Sequence, residues 1–157
     1  MCRSTPLIRR LRRGDLGQVC RIEEEVFPMP WSRESFENEL SDNGVSFSWV
    51  LESGGAVVGY LISWLVEDEL HIGNIAVAPE LQGSGLGRDL LERCLGEAAA
   101  TGVSRATLEV RVTNERAIAL YEKHGFRPIA FRRRYYSDTG EDALVMLKDF
   151  PQKGGQG

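Results

Sequence analysis

Nowhere along the chain does an apolar run approach the roughly 20 residues that a membrane-spanning helix needs, so a soluble, non-membrane protein is expected. Histidine and cysteine are scarce as well. The two histidines, His71 and His124, and the three cysteines, Cys2, Cys20 and Cys94, fall into no Cys-x-x-Cys or His-Glu-x-x-His spacing, and no metal site is expected. An odd and scattered cysteine set, behind an opening MCRSTPLIRRLRR with no apolar centre, points to the reducing cytoplasm rather than a secreted disulfide framework. Positive charge is not in excess. A net charge of −4 gives no basis for direct nucleic-acid binding across a broad face and suits a basic peptide partner. Internal repeats and long linkers are absent too, so residues 1–150 read as a single domain, and the tail 151–157, PQKGGQG, as disordered.

What the sequence does contain alternates between strand and helix patterns. A short strand at Pro6 to Arg10 precedes a helix over Leu16 to Val26 that Asp15 is placed to cap. The prolines of Phe27-Pro28-Met29-Pro30-Trp31 stop that helix, and Ser32 offers the N-cap of a second one reaching about Leu40. Phe47 to Glu52 and Ala56 to Glu67, joined by Ser53-Gly54-Gly55, read as an antiparallel hairpin followed by a strand from Leu70 to Val77. Leu86, Leu90, Leu91, Leu95 and Ala98 mark one face of a helix ending at Gly102, and Arg105 to Val112 then alternates as a strand. Asn114 caps a last helix that stops at Gly125, and two further strands flank the turn at Ser137 to Gly140. The expectation is a mixed α/β protein with a mostly antiparallel sheet.

Between strand and helix lies Gln82-Gly83-Ser84-Gly85-Leu86-Gly87. A nucleotide P-loop would end in Gly-Lys-Ser/Thr, whereas here Arg88 and Asp89 follow Gly87. A dinucleotide fingerprint would run G-x-G-x-x-G near the start of a parallel unit, and these glycines alternate after two antiparallel strands. A bare strand-to-helix turn with no ligand remains open on the residues alone. Glycine lets amides approach a ligand, and the first turn of a helix presents unpaired N–H groups at the positive end of its dipole, an arrangement suited to pyrophosphate.

The same turn matches the Gln/Arg-x-x-Gly-x-Gly/Ala signature of the Gcn5-related N-acetyltransferases (GNAT), which the chain resembles in spacing and in placement after a strand ending at Val77. Four more segments, RIEEEVFPMPWS, NIAV, LEVRVTNERAIALYEKHGF and RRRYYSDTGEDALVM, resemble one branch of that family in order along the chain, the RimI-type N-terminal acetyltransferases acting on a ribosomal protein. The resemblance implies an acyl-CoA N-acyltransferase fold, a twisted mixed sheet with helices on both faces, whose cofactor enters where two central strands splay. It implies acetyl-CoA as cosubstrate, contacted by Ile75, Ala76, Val77, Gly83, Ser84, Gly85, Leu86, Gly87, Arg88 and Asn114.

By the same resemblance Glu109 is the general base and Tyr121 the general acid, although on residues alone they read as an exposed strand carboxylate and a packed aromatic. Phe27, Pro28 and Trp31 are implied on one side of a peptide entrance and Tyr135 and Tyr136 on the other, with one of the two tyrosines expected on the sheet surface because adjacent strand residues point oppositely. Arg132 to Arg134 read as a solvated strand edge, and His71 and Cys94, in no nucleophile–base motif, as packing residues. The implied reaction is acetyl transfer to the N-terminal α-amine, an alanine, of a small-subunit ribosomal protein. A broader N-terminal or lysine acetyltransferase and a non-catalytic acetyl-CoA-binding module are the alternatives. The oligomeric state is not legible.

Overall fold

In a computed structural model, residues 6–27, 30–42, 45–136 and 140–151 are described. The expected Pro28 contact, the Ser137 to Thr139 part of the last turn and the tail from residue 152 lie outside them. The strands are β1 (Leu7–Arg10), β2 (Val45–Ser46), β3 (Trp49–Ser53), β4 (Ala56–Val66), β5 (Glu69–Val77), β6 (Arg105–Arg111), β7 (Arg127–Tyr136) and β8 (Glu141–Asp149). The helices are α1 (Leu16–Val26), α2 (Arg33–Asp42), α3 (Leu86–Thr101) and α4 (Glu115–Lys123). The strand order is β1-β3-β4-β5-β6-β8-β7, with short β2 pairing β4, a strand the sequence reading did not include. Every pairing is antiparallel except β5 with β6.

Alternation along the central strands splits the apolar residues between two layers, as the period-2 pleat requires. Trp49, Leu51 and Leu61 join Leu90, Leu91, Cys94, Leu95 and Ala98 of α3 and Tyr121 of α4 in one cluster. Val50, Tyr60 and Ile62 join Leu16, Val19 and Ile22 of α1 and Phe36 of α2 in the other. Full burial of one such leucine contributes about 1.5–3 kcal/mol, so these two layers carry the fold.

Local capping follows the sequence with one correction. The Ser32 hydroxyl accepts from Ser35 N at 3.1 Å, and Asn114 Oδ1 from Ala117 N at 3.2 Å. Asp15 does not cap α1 with its side chain. Its carboxylate instead accepts from Arg12 N at 2.7 Å and from both Nη atoms of Arg9 at 2.8 and 2.9 Å. A bidentate guanidinium outcompetes a single cap amide, and it holds the Asp15 carboxyl below the usual carboxylate range.

One glycine shapes the middle of the sheet. Ile62 of β4 pairs with Asn74 and Ser63 with Ile72, leaving Gly73 as an extra residue in β5. A β-carbon on Gly73 would lie 2.8 Å from Trp64 Cζ3, so any larger residue there requires the indole to shift. The bulge resets the pleat by one position. Ile72 and Val77, an odd five residues apart, consequently share the α3–α4 layer, while Ala76 joins the α1 layer. The parallel ladder runs from Glu69–Arg105 to Ile72–Leu108 and stops there. Beyond this point β6 still pairs with β8, and the next residues on the parting strands are Gly73 and Glu109.

Candidate active site

The mouth of the gap is the glycine turn. Gly83 and Gly85 both adopt left-handed backbone, at φ of +85° and +86°, a region that costs an L-residue about 1–2 kcal/mol. Gly85 is the N-cap of α3 and offers no side chain, so the first-turn amides of this 16-residue helix are left for another acceptor. Gln82 Nε2 donates to Val77 O at 3.1 Å and ties the turn to the end of β5, while the Ser84 hydroxyl donates to Leu81 O. Ala78 N donates to Val58 O at 2.8 Å, which makes Val77–Gly59 a non-hydrogen-bonded pair. The Val77 N–H therefore turns away from β4, toward the gap.

Glu109 stands where the strands part. His71 Nε2 is 3.3 Å from its Oε1, and Arg132 Nε is 3.7 Å from Oε2. The His71 ring lies on Trp64, 4.8 Å between centroids, with Nδ1 3.2 Å from the Thr107 hydroxyl. When that hydroxyl donates, the neutral ring carries its proton on Nε2, facing Glu109. Hydrogen bonding from His71 holds the Glu109 carboxyl below the usual range, with the charges of His71 and Arg132 adding to it and burial opposing it. This neighbourhood corrects the reading of His71 as a simple packing residue. The partner lies 38 residues away on a different strand, and only the parallel register, with His71 opposite Thr107, brings them together. Cys94 does sit in the core, fully buried.

Tyr121 of α4 is buried against Phe126, and burial raises its hydroxyl well above the ordinary range. That hydroxyl has no hydrogen-bond partner among the described residues, although the side chain lines the cleft. Across the opening, Arg111 lies 4.1 Å over the Tyr136 ring and donates to Glu141 at 2.9 Å. Burial pushes the Tyr136 hydroxyl up to about 12.

A second carboxylate, absent from the sequence reading, closes the other end. Glu23 of α1 is 1% exposed. Its Oε1 accepts from the Tyr60 hydroxyl and from Asn74 Nδ2 at 2.8 Å, and its Oε2 from Trp31 N at 3.0 Å. Burial raises its pKa against the pull of these donors. The signal lay in the helical period: Glu23 shares the apolar stripe of Leu16, Val19 and Phe27, where a carboxylate must find buried donors.

These groups line one cleft of about 970 Å³. Of the expected residues, Glu109, Tyr121, Ile75, Ala76, Val77, Gly83, Gly85, Leu86, Gly87, Arg88, Asn114, Phe27, Trp31 and Tyr136 are in its wall. Ser84 is outside the wall because its hydroxyl turns back onto Leu81. Tyr135 is also outside, 47% exposed, with its ring edge-on to that of Tyr136 at 5.1 Å between centroids. Arg132 to Arg134 are exposed along that edge, as read, with Arg132 reaching Glu109.

A parallel strand pair opening over a glycine-capped helix defines the architecture of an acyl-CoA-dependent N-acyltransferase. The family description "Acetyltransferase (GNAT) family" matches residues 16–126, and the chain belongs to that family. It is 39% identical to the [ribosomal protein bS18]-alanine N-acetyltransferase of Escherichia coli over 141 residues, covering 88% of this chain and 94% of that one. It is also 39% identical over 147 residues to the N-alpha-acetyltransferase RimI of Mycobacterium tuberculosis, covering 88% and 89%. The crystal structure of the ribosomal-protein-S18-alanine N-acetyltransferase from Escherichia coli superimposes with a TM-score of 0.90 at 36% identity, over 97% of this chain and 98% of that one.

The acetyl donor of the family is acetyl-CoA, and the residues present fit it. A β-carbon at Gly83 would lie 3.2 Å from Arg116 Nη2 and one at Gly85 3.6 Å from Arg88 Nη2, so side chains there would fill the cradle. Bared amides and two guanidinium groups converge on the same turn, the setting for a pyrophosphate. Among the described residues, no group of three or more His, Cys, Asp or Glu is placed to hold a metal ion.

Proposed function

We propose that this chain acetylates the N-terminal alanine of ribosomal protein bS18, the acceptor named for the Escherichia coli relative, with Glu109 as base and Tyr121 as acid. One observation carries the reading: the cleft is bipolar. Amides and guanidinium groups gather at the α3 turn, and the carboxylates of Glu23 and Glu109 face the gap from the opposite side. The first end suits phosphates, the second a positively charged amine.

An α-amine near pKa 7.7–8.0 is mostly ammonium at neutral pH and must lose a proton before it can attack. Glu109, held ionised by His71, accepts that proton directly or through a water. Acetyl-CoA would supply the acetyl thioester, and the residues that would hold it are the amides from Gly83 to Arg88 for its phosphates and Ile75 to Val77 with Asn114 for its arm. The Val77 N–H, turned into the gap, donates to oxygen as negative charge develops. Tyr121 keeps a proton on Oη at the cleft wall for the leaving sulfur, and its raised pKa holds that proton until a thiolate is near. Phe27 and Trp31 wall the peptide entrance on the α1 side and Tyr136 on the other, and Pro28 belongs with the former. Work on a ribosomal protein belongs in the cytoplasm, and no helix among the described residues is long and apolar enough to cross a membrane.

The test is mass spectrometry of peptides after incubation with acetyl-CoA. A bS18 N-terminal peptide should gain one acetyl group at its α-amine, and its α-blocked counterpart none. Acetylation at lysine, or equal rates on unrelated N-termini, would favour a broader protein acetyltransferase. Absence of thiol release with every peptide would leave a binding module.

A further inference from the structure

The first turn of α4 carries Arg116 immediately after Asn114 and Glu115. A cation there is opposed by the positive end of the helix dipole. Helix stability therefore gives no reason for it. Among the described residues Arg116 makes no ion pair and no hydrogen bond, and its side chain does not fold back onto Glu115. It instead reaches across the cleft mouth, with Nη2 3.2 Å from the β-carbon position of Gly83. Three sources of positive potential thus meet: the amides of the Gly83–Gly85 turn, the N-terminus of α3 and this guanidinium. An exposed guanidinium placed here, with no ion pair among the described residues, adds to the positive potential that an anion entering the cleft mouth would meet.

The neighbouring groups do not fill that role. Gln82, at the head of the turn, is neutral, and its amide is committed to Val77 O. Arg88 is placed near Asp89 and Glu92, at 3.8 and 3.9 Å, which offsets part of its charge. We propose that Arg116 is a pyrophosphate ligand for acetyl-CoA, completing from α4 a cradle whose other wall is the glycine turn. A planar guanidinium can give two parallel N–H bonds to one phosphate while the turn amides hold the other. The inference rests on the assignment of the turn to the cofactor.

Calorimetry with coenzyme A, 3′-dephospho-coenzyme A and pantetheine on the wild type and Arg116→Gln tests it without needing the acceptor. Loss of charge-assisted bonds should weaken binding of coenzyme A by about tenfold or more in Arg116→Gln, and that of the 3′-dephospho form by the same factor. Pantetheine, which lacks the pyrophosphate, should bind both chains equally. The variant should lose less affinity as salt is raised, and its thermal midpoint should not fall, because a dipole-opposed cation has been removed. Arg116→Lys should recover part of the affinity. Equal binding of coenzyme A by wild type and variant would overturn the role of Arg116 alone. A loss confined to coenzyme A would move the contact to the 3′-phosphate, and a loss shared by pantetheine would make it structural; either overturns the pyrophosphate assignment. A wild type that binds none of the three would overturn the cofactor assignment of the turn as well.

Discussion

The two ends of the cleft are built on different principles. At the glycine-turn end, the groups on offer are mostly main chain: two left-handed glycines and a helix start with no side-chain cap, within one stretch of the sequence. At the other end the organiser is one side chain, Glu23, which gathers the Trp31 backbone N–H and the Tyr60 and Asn74 side chains from a loop and two strands up to 51 positions away. Phosphate presents the same charge and shape to every enzyme that uses it, so a local backbone device suffices. A particular protein terminus needs a shaped wall, and on the proposed reading the buried Glu23 carboxylate would hold that wall together.

Breaking the chemistry between the two ends should give the largest effect. Glu109→Gln and Tyr121→Phe should each reduce turnover by about 100-fold or more while leaving coenzyme A affinity nearly unchanged, as steady-state kinetics and calorimetry together would show. Unchanged turnover in both variants would remove their roles.

Next in size is the acceptor wall. Glu23→Ala leaves the Tyr60 hydroxyl, the Asn74 amide and the Trp31 N–H without their acceptor, at about 1–3 kcal/mol for each group left buried and unpaired. Urea unfolding should show a loss of several kcal/mol, and Glu23→Gln a smaller one. Gly73→Ala should cost about 1–3 kcal/mol by forcing Trp64 aside, and it should impair both ends because the bulge sets the gap they share.

The smallest effect sharpens the comparison through pH. Glu109 is ionised at neutral pH, and its folded pKa is depressed chiefly by His71. The acid limb of kcat/KM should lie below the usual carboxylate range, and His71→Gln should move it upward. The same interaction contributes stability above the unfolded pKa of Glu109 and loses it as pH falls through the folded value. Thermal midpoints of the wild type should therefore decline on acidification more than those of His71→Gln.

Most elements were readable from their own residues. The leucine spacing of α3 with its terminal Gly102, the Ser32 and Asn114 caps and the alternation of Ala106, Leu108 and Val110 in β6 are local patterns with local causes. Asp15 was misread because its stronger partner, Arg9, sits on a strand that folds back beside it. His71 was misread for the same kind of reason, and the bulge at Gly73 appears only in the pairing register of β4 with β5.

By itself, then, the sequence determined the helices, the strands apart from β2 and the glycine turn, since each depends on groups a few bonds apart along the chain. Only the tertiary structure decided that β5 and β6 part at Glu109, that His71 and Arg132 set the charge of that carboxylate, and that Glu23 is buried among donors. Pairing register, desolvation and through-space charge depend on distances that chain order does not encode locally.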